Sequence, residues 1–227
     1  MVTTVSITGS VPVIISKQIR SMGAEYSDEL AMDAFPKSSP LNIVGLAMMS
    51  LELGAYMAAM GRDVAEQPGL IIAIDDAQQD VVTGFLLYTP LSGEPGHCGI
   101  IYTAVTKELR GSGILRQMLA KLSERMRQST LSSQISLVPL YERLGFHVIG
   151  HRDSQIVMTN GQTPSAGKMR LMNSDMALEH PDVLQANSEM LQRFGPEQIY
   201  KSLVAHTQDM DLKRVLAKDF AAARLNG

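Results

Sequence analysis

Short apolar runs separated by polar turns fill the middle of the chain. Leu70 to Ile74 is one such run, closed by Asp75-Asp76-Ala77-Gln78-Gln79-Asp80. Val81 to Tyr88 follows, and the pair predicts a β-hairpin. The turn residues Ser92-Gly93-Glu94-Pro95-Gly96-His97 lead into a third strand, Cys98 to Val105. Then the period changes. Within Ser112 to Arg127, residues Leu115, Met118, Leu119, Leu122 and Met126 recur at helical spacing, with Arg116, Lys121, Arg125 and Arg127 largely on the other face. Ile135 to Val138 predicts a further strand and Leu140 to Leu144 at most a short helix. Phe146 to Ile149 and Gln155 to Thr159 complete the sheet. A meander, a helix and further strands predict an α/β class of mixed α+β type, a central mixed sheet flanked by helices.

The flanks are less regular. Val5-Ser6-Ile7 and Val11 to Ile15 have the β-branched content of strands, Ala24 to Ala34 suits a helix, and Pro36 to Pro40 is turn chemistry. Leu41 to Met60 is nearly all apolar, with Glu52 as its only charge. Its length is about that of a membrane span. Gly45, Gly54, Asn42 and Ser50 dilute it, and no cluster of Lys or Arg flanks it, so a buried core or interface helix is expected. The 15 methionines add adaptable apolar packing surface. A polar stretch from Asn160 to Gly167 reads as a linker. It divides the chain into a domain at residues 1–160 and a helical C-terminal extension at 161–227. Pro181 and Pro196 sit where first-turn prolines are favoured, and Gly195 closes the helix between them. Leu184, Leu191, Phe194, Ile199, Leu203, Leu212, Val215, Leu216 and Phe220 imply that one face of these helices is covered. The cover is the domain itself, a homo-oligomer or a larger assembly.

Composition narrows the classes. With 45% hydrophobic and 19% charged residues and a net charge of -3, nothing points to nucleic acid or an anionic membrane as partner. The single cysteine, Cys98, excludes an internal disulfide and a cysteine-based zinc site. The start Met1-Val2-Thr3-Thr4 has neither the basic nor the apolar region of a signal peptide, and a cytoplasmic location is expected. The five histidines lack metal-ligand spacing, so no metal site is expected.

One segment carries a chemical signal. At Ala104 to Ile114 a strand ends, the turn Arg110-Gly111-Ser112-Gly113 follows, and an amphipathic helix begins. Helix N-termini present unpaired N–H groups and a positive dipole end, which suit an anion. Glycines at 111 and 113 let the backbone come close to it. Ser112 is equally an ordinary N-cap residue.

This segment resembles the acetyl-CoA loop of the GNAT acetyltransferase superfamily, whose pattern is Arg or Gln, two residues, Gly, one residue, then Gly or Ala. Arg110 and Gly113 match it; Leu115 stands where the family has Gly or Ala. About 30 residues downstream, Pro139-Leu140-Tyr141-Glu142-Arg143-Leu144-Gly145-Phe146 is similar to the second signature of that family. The resemblance covers residues 68 to 160 and implies an N-acetyltransferase with acetyl-CoA as co-substrate. It acts by direct transfer to an amine of a small molecule or peptide. Ala104, Val105, Arg110, Gly111, Ser112, Gly113 and Ile114 would bind the co-substrate, and Tyr141 matches the general acid. For the general base the candidates are His97, Tyr102 and Glu52; burial among apolar residues would raise the pKa of Glu52. A fold that works instead as a scaffold, through its C-terminal helices, is the alternative.

Overall fold

The computed structural model describes residues 2–62, 66–78, 80–162, 165, 167–169 and 177–226. In chain order the elements are β1 (Val2–Ile7), α1 (Val13–Glu25), the single turn α2 (Ser27–Leu30), α3 (Asn42–Ala59), β2 (Gly69–Asp75), β3 (Val82–Ser92) and β4 (His97–Val105). After them come α4 (Ile114–Ser123), β5 (Gln128–Ser133), α5 (Val138–Arg143), β6 (His147–Arg152), β7 (Gln155–Thr159), β8 (Lys168–Met169) and α6 (Pro181–Asn226). The sheet runs β1-β2-β3-β4-β5-β7-β6, with β8 added on the end of β3. Every pairing is antiparallel except β4 with β5.

The predicted hairpin is β2–β3, with Leu70 opposite Leu87 and Ile72 opposite Phe85. Its residues are apolar without alternation because both faces are covered. Ile71, Ala73 and Leu86 pack with Ile114, Met118 and Leu122 of α4. Leu70, Ile72, Phe85 and Leu87 pack on the other face with Ile15 and Ile19 of α1 and Met49 and Leu53 of α3. Helix α3 is the apolar segment expected to be buried. It is long and apolar enough to cross a membrane by length and composition. Here it buries Met49, Leu53, Tyr56 and Met57, an i, i+4, i+7, i+8 stripe.

Two expected strands are corrected. Val11 to Ile15 forms no strand; it runs into α1, which starts after Pro12. Ile15, Ile19 and Met22 are buried at helical spacing, and that longer period outweighs the local β-branched content. Ile135–Leu137 is a 3-10 turn, and the strand lies earlier, at β5. The sequence of β5, Gln-Ser-Thr-Leu-Ser-Ser, conceals it. Its polar side chains are buried by bonding across to β7: Thr159 Oγ1 donates to the Ser129 carbonyl (3.1 Å) and Gln128 Nε2 to Thr159 Oγ1 (3.2 Å).

Helix α6 breaks at Gly195 (φ 70°), followed by Pro196, as the sequence pattern predicts. Its first half puts Met190 against Leu41 in a small cluster with Ile199. Its second half lays Ala217 and Ala221 into the α4–α5 core, and Arg224 pairs with Glu142 of α5 at 2.9 Å. The expected covered face is therefore partly corrected. Ile199, Phe194 and Phe220 pack on the domain, but Leu184, Leu191, Leu203, Leu212, Val215 and Leu216 are exposed. The contact surface uses alanines at close approach, which leaves the larger residues on the outer face.

Replacing Ala217 by Glu buries an unpaired carboxylate at this contact. It should cost roughly 3 kcal/mol of unfolding free energy in a denaturant titration. An unchanged midpoint would mean that α6 does not dock there.

Candidate functional site

The parallel pair β4–β5 is held over three residues only: His97, Cys98 and Gly99 opposite Gln128, Ser129 and Thr130. Beyond Gly99 the two strands part. The cause lies on both sides. On β4, Leu87 opposes Tyr102 and Tyr88 opposes Ile100, so Ile101 is an extra, unpaired residue. Such a bulge bends its strand. On β5, the outer half from Thr130 to Ser133 is committed to β7. The wedge between the strands therefore exposes the backbone edge of β4 from Ile100 to Val105.

At the far end of β4 is the glycine turn. Gly111 and Gly113 have φ of 82° and 90°, conformations that side-chain-bearing residues avoid, and the space above both is open. Ser112 is not the N-cap: its hydroxyl donates back to the Leu109 carbonyl at 2.6 Å. Gly113 takes that position without any side-chain bond. The first helical bond is Gln117 N–H to the Gly113 carbonyl, so the N–H groups preceding it lack helical acceptors. Arg110 braces the turn. Its guanidinium pairs with Glu29 (2.9 Å), lies 4.9 Å from the Tyr26 ring centroid and donates to the Val105 carbonyl (3.2 Å). Ala104 is buried toward α1 and α3, and Ile114 toward the opposite core. Leu115 is partly buried and packs against that same core.

A cavity of about 760 Å³ lies on the α3 face of the sheet. Met48, Met49 and Glu52 of α3 form one wall; Tyr102 of β4, Thr130 and Ser132 of β5, and Val157 of β7 form its floor. Ile100 and Leu131, the residues immediately after the last β4–β5 pair, also line it. Both side chains belong to the core on the other face. The cavity thus reaches into the split between the strands.

Inside the cavity two of the candidate bases meet. The Tyr102 hydroxyl donates to Glu52 Oε2 at 2.7 Å. Burial pushes the Glu52 carboxyl above the usual carboxylate range, opposed by hydrogen bonds from Tyr102 and Tyr56. Burial and the adjacent Glu52 push the Tyr102 phenol upward too, so it stays protonated. The third candidate, His97, is elsewhere, bonded to Glu94 at 2.7 Å in the β3–β4 turn. Cys98 is fully buried with its thiol pushed up to about 12, which removes it as a nucleophile.

Tyr141 on α5 is buried, edge-on to Phe146 with ring centroids 5.8 Å apart. Desolvation pushes its phenol up to about 12. It shares a core cluster with Ile100 and Leu131, the two residues at the split. Sequence reasoning missed Tyr56, and also Arg152 and Gln155 on the cavity wall. They reach the site through long-range packing; only Glu52, one charge in an apolar helix, left a local trace.

Residues 43–146, from α3 to the end of the α5 turn, match the family model described as Acetyltransferase (GNAT) family. Over these residues, just under half of the chain, the sequence is similar to that family. The general chemistry of that family is acetyl transfer from an acyl-CoA. No curated protein matches the sequence. Among solved structures, the chain is similar to an acyl-CoA N-acyltransferase from Pseudomonas aeruginosa (14% identity, TM-score 0.47), over 71% of this chain and 100% of that one. It is similar also to a protein from Corynebacterium glutamicum ATCC 13032 described as histone acetyltransferase HPA2 and related acetyltransferase. There the identity is 15% and the TM-score 0.49, over 72% of this chain and 98% of the other. A GNAT-family acetyltransferase from Staphylococcus aureus Mu50 aligns at 12% identity and a TM-score of 0.46, covering 70% and 98%.

The raised Glu52 pKa has a consequence for stability. A carboxyl whose folded pKa lies above its unfolded value stabilises the fold fully at acid pH and loses that contribution as pH rises through the folded value. Glu52→Gln should therefore raise Tm at pH 7, and the gain should vanish below about pH 4. A gain independent of pH would place the Glu52 carboxylate in water.

Proposed function

We propose that this protein transfers an acetyl group from acetyl-CoA directly to an amine of a small molecule or peptide within a ternary complex. The observation that carries the reading is the cavity that enters the β4–β5 split, with Glu52 and Tyr102 on its α3 side and the Tyr141 cluster beneath it.

Each residue then has a task. The N–H groups at the start of α4 that lack helical acceptors, beside the Gly111-Ser112-Gly113 turn, take the pyrophosphate of acetyl-CoA, with the backbone of Ile114 and the helix dipole adding to the field. Arg110 holds that loop against Glu29 and keeps a positive charge beside it. The free edge of β4 toward Ala104 and Val105 binds the pantetheine arm, and one N–H of this edge polarises the thioester carbonyl. Leu115, turned into the core, leaves the phosphate position uncrowded.

The acceptor reaches the site as an ammonium ion and must lose a proton before it can attack. Glu52 takes that proton; its raised pKa makes it a better base than an exposed carboxylate. The nitrogen attacks the carbonyl carbon, the C–N bond forms and the C–S bond breaks. Nitrogen gives up a second proton as the amide forms. One of these two protons ends on sulfur and the other leaves to solvent. Tyr141, protonated at neutral pH, stabilises the departing thiolate by donating a hydrogen bond. The high pKa that burial gives it limits full proton donation, so its part is chiefly that bond.

Release of free CoA thiol, followed against a panel of amines, tests this. Tyr141→Phe should lower kcat by about 100-fold. The rate should rise with pH through a limb set above the usual carboxylate pKa, and Glu52→Gln should lose that limb. Absence of thiol release with every amine, or a Tyr141→Phe variant as fast as wild type, would contradict the reading.

A further inference from the structure

One basic residue, Arg152, lines the cavity; it is exposed, and its side chain has no protein partner among the described residues. Among the described residues that line it, Arg152 is the sole basic one, and Glu52 and Asp33 are the acidic ones. Arg152 ends β6 at the β6–β7 turn, opposite Gln155. The Arg152 side chain has no ion pair, hydrogen bond or ring contact among the described residues. A second polar group on the wall is also unsatisfied. Ser27 is buried, 6% exposed, and its hydroxyl has no hydrogen-bond partner. Buried hydroxyl groups are ordinarily bonded, so this one points to a polar group that the cavity receives.

The remaining surface is apolar and adaptable. Met32, Met48, Met49 and Met169 line the cavity with Phe35 and Leu91. Unbranched thioether side chains accommodate apolar groups of varied shape.

Taking the acetyl-transfer reading above as its basis, we propose that the acceptor is an amine that also carries a carboxylate, of the kind found in an amino acid with an apolar side chain. Glu52 receives the ammonium end and Arg152 pairs with the carboxylate, for which its planar fork of donors is suited. The methionine-lined walls enclose the apolar side chain. Gln155, buried beside Arg152 on the opposing strand, fixes that end of the cavity. Asp33 sits at the same cavity and favours the rival acceptor, a diamine whose second ammonium it would meet; Arg152 opposes that rival by repulsion.

The experiment compares matched substrates. Phenylalanine, leucine and methionine are assayed against the amines left when their carboxylates are removed, with putrescine and cadaverine as diamines. Wild type should prefer the amino acids. In Arg152→Gln the ratio of kcat/KM for an amino acid to kcat/KM for its decarboxylated amine should fall roughly ten- to hundredfold. Arg152→Lys should recover part of that ratio, and a Tm measurement confirms that each variant is folded. Preference for decarboxylated amines or diamines, or a ratio unmoved in Arg152→Gln, overturns the carboxylate proposal and leaves acetyl transfer standing. Absence of turnover with all three classes overturns both.

Discussion

Three backbone pairs between β4 and β5, and no more, are the constraint on which the rest of the site depends. An unpaired strand edge inside a folded domain is costly unless something satisfies its N–H and C=O groups. Here the chain builds that situation deliberately: Ile101 is inserted on one strand, and β7 claims the other. The result is an edge left free to pair with an extended ligand as it would with a further strand. The helix that follows β4 starts with unpaired N–H groups at the end of the same strand. An extended anionic thioester fits both demands at once.

The two faces of the sheet divide the remaining work. The α4–α5 face supplies rigid packing, with Met118, Ile156 and Met158 fully buried, and carries Tyr141. The α3 face supplies the cavity and Glu52. A carboxylate in an apolar helix lowers the stability of the fold at neutral pH, and the hydroxyls of Tyr102 and Tyr56 offset only part of that cost. Such a residue is a natural candidate for proton transfer, because what destabilises it also raises its basicity. Helix α6 serves both faces. It covers the β6 edge and locks α5 through the Arg224–Glu142 pair.

Much of this was legible in the residues. The β2–β3 hairpin, β4, α4, the break at Gly195 and the glycine turn all follow from local pattern, because each is decided by neighbours in sequence. β5 was not legible, since its burial depends on side-chain bonds to Thr159, some 30 residues away. The entry into α1 misled for a related reason: Val11 to Ile15 carries strand-like residues, and only packing on α3 decides for a helix. At the site, the glycines announced themselves, and Glu52 stood out by its charge. Ser112 carried an ambiguous signal as an N-cap residue, which the bond to Leu109 resolves. Arg152, Gln155 and Ser27 gave no signal, because nothing near them in sequence distinguishes a cavity wall from an ordinary turn or strand.

The central claim is that the start of α4 and the edge of β4 together bind an acyl-CoA. Calorimetric titration of acetyl-CoA into wild type, Gly113→Ala and Gly113→Glu tests it most directly. Both variants strain the backbone at the same positive φ, but only the second adds a negative charge at the proposed pyrophosphate position. The account predicts saturable binding to wild type, weakened binding to Gly113→Ala and none to Gly113→Glu. Absence of binding to wild type, or equal binding to the two variants, would contradict it.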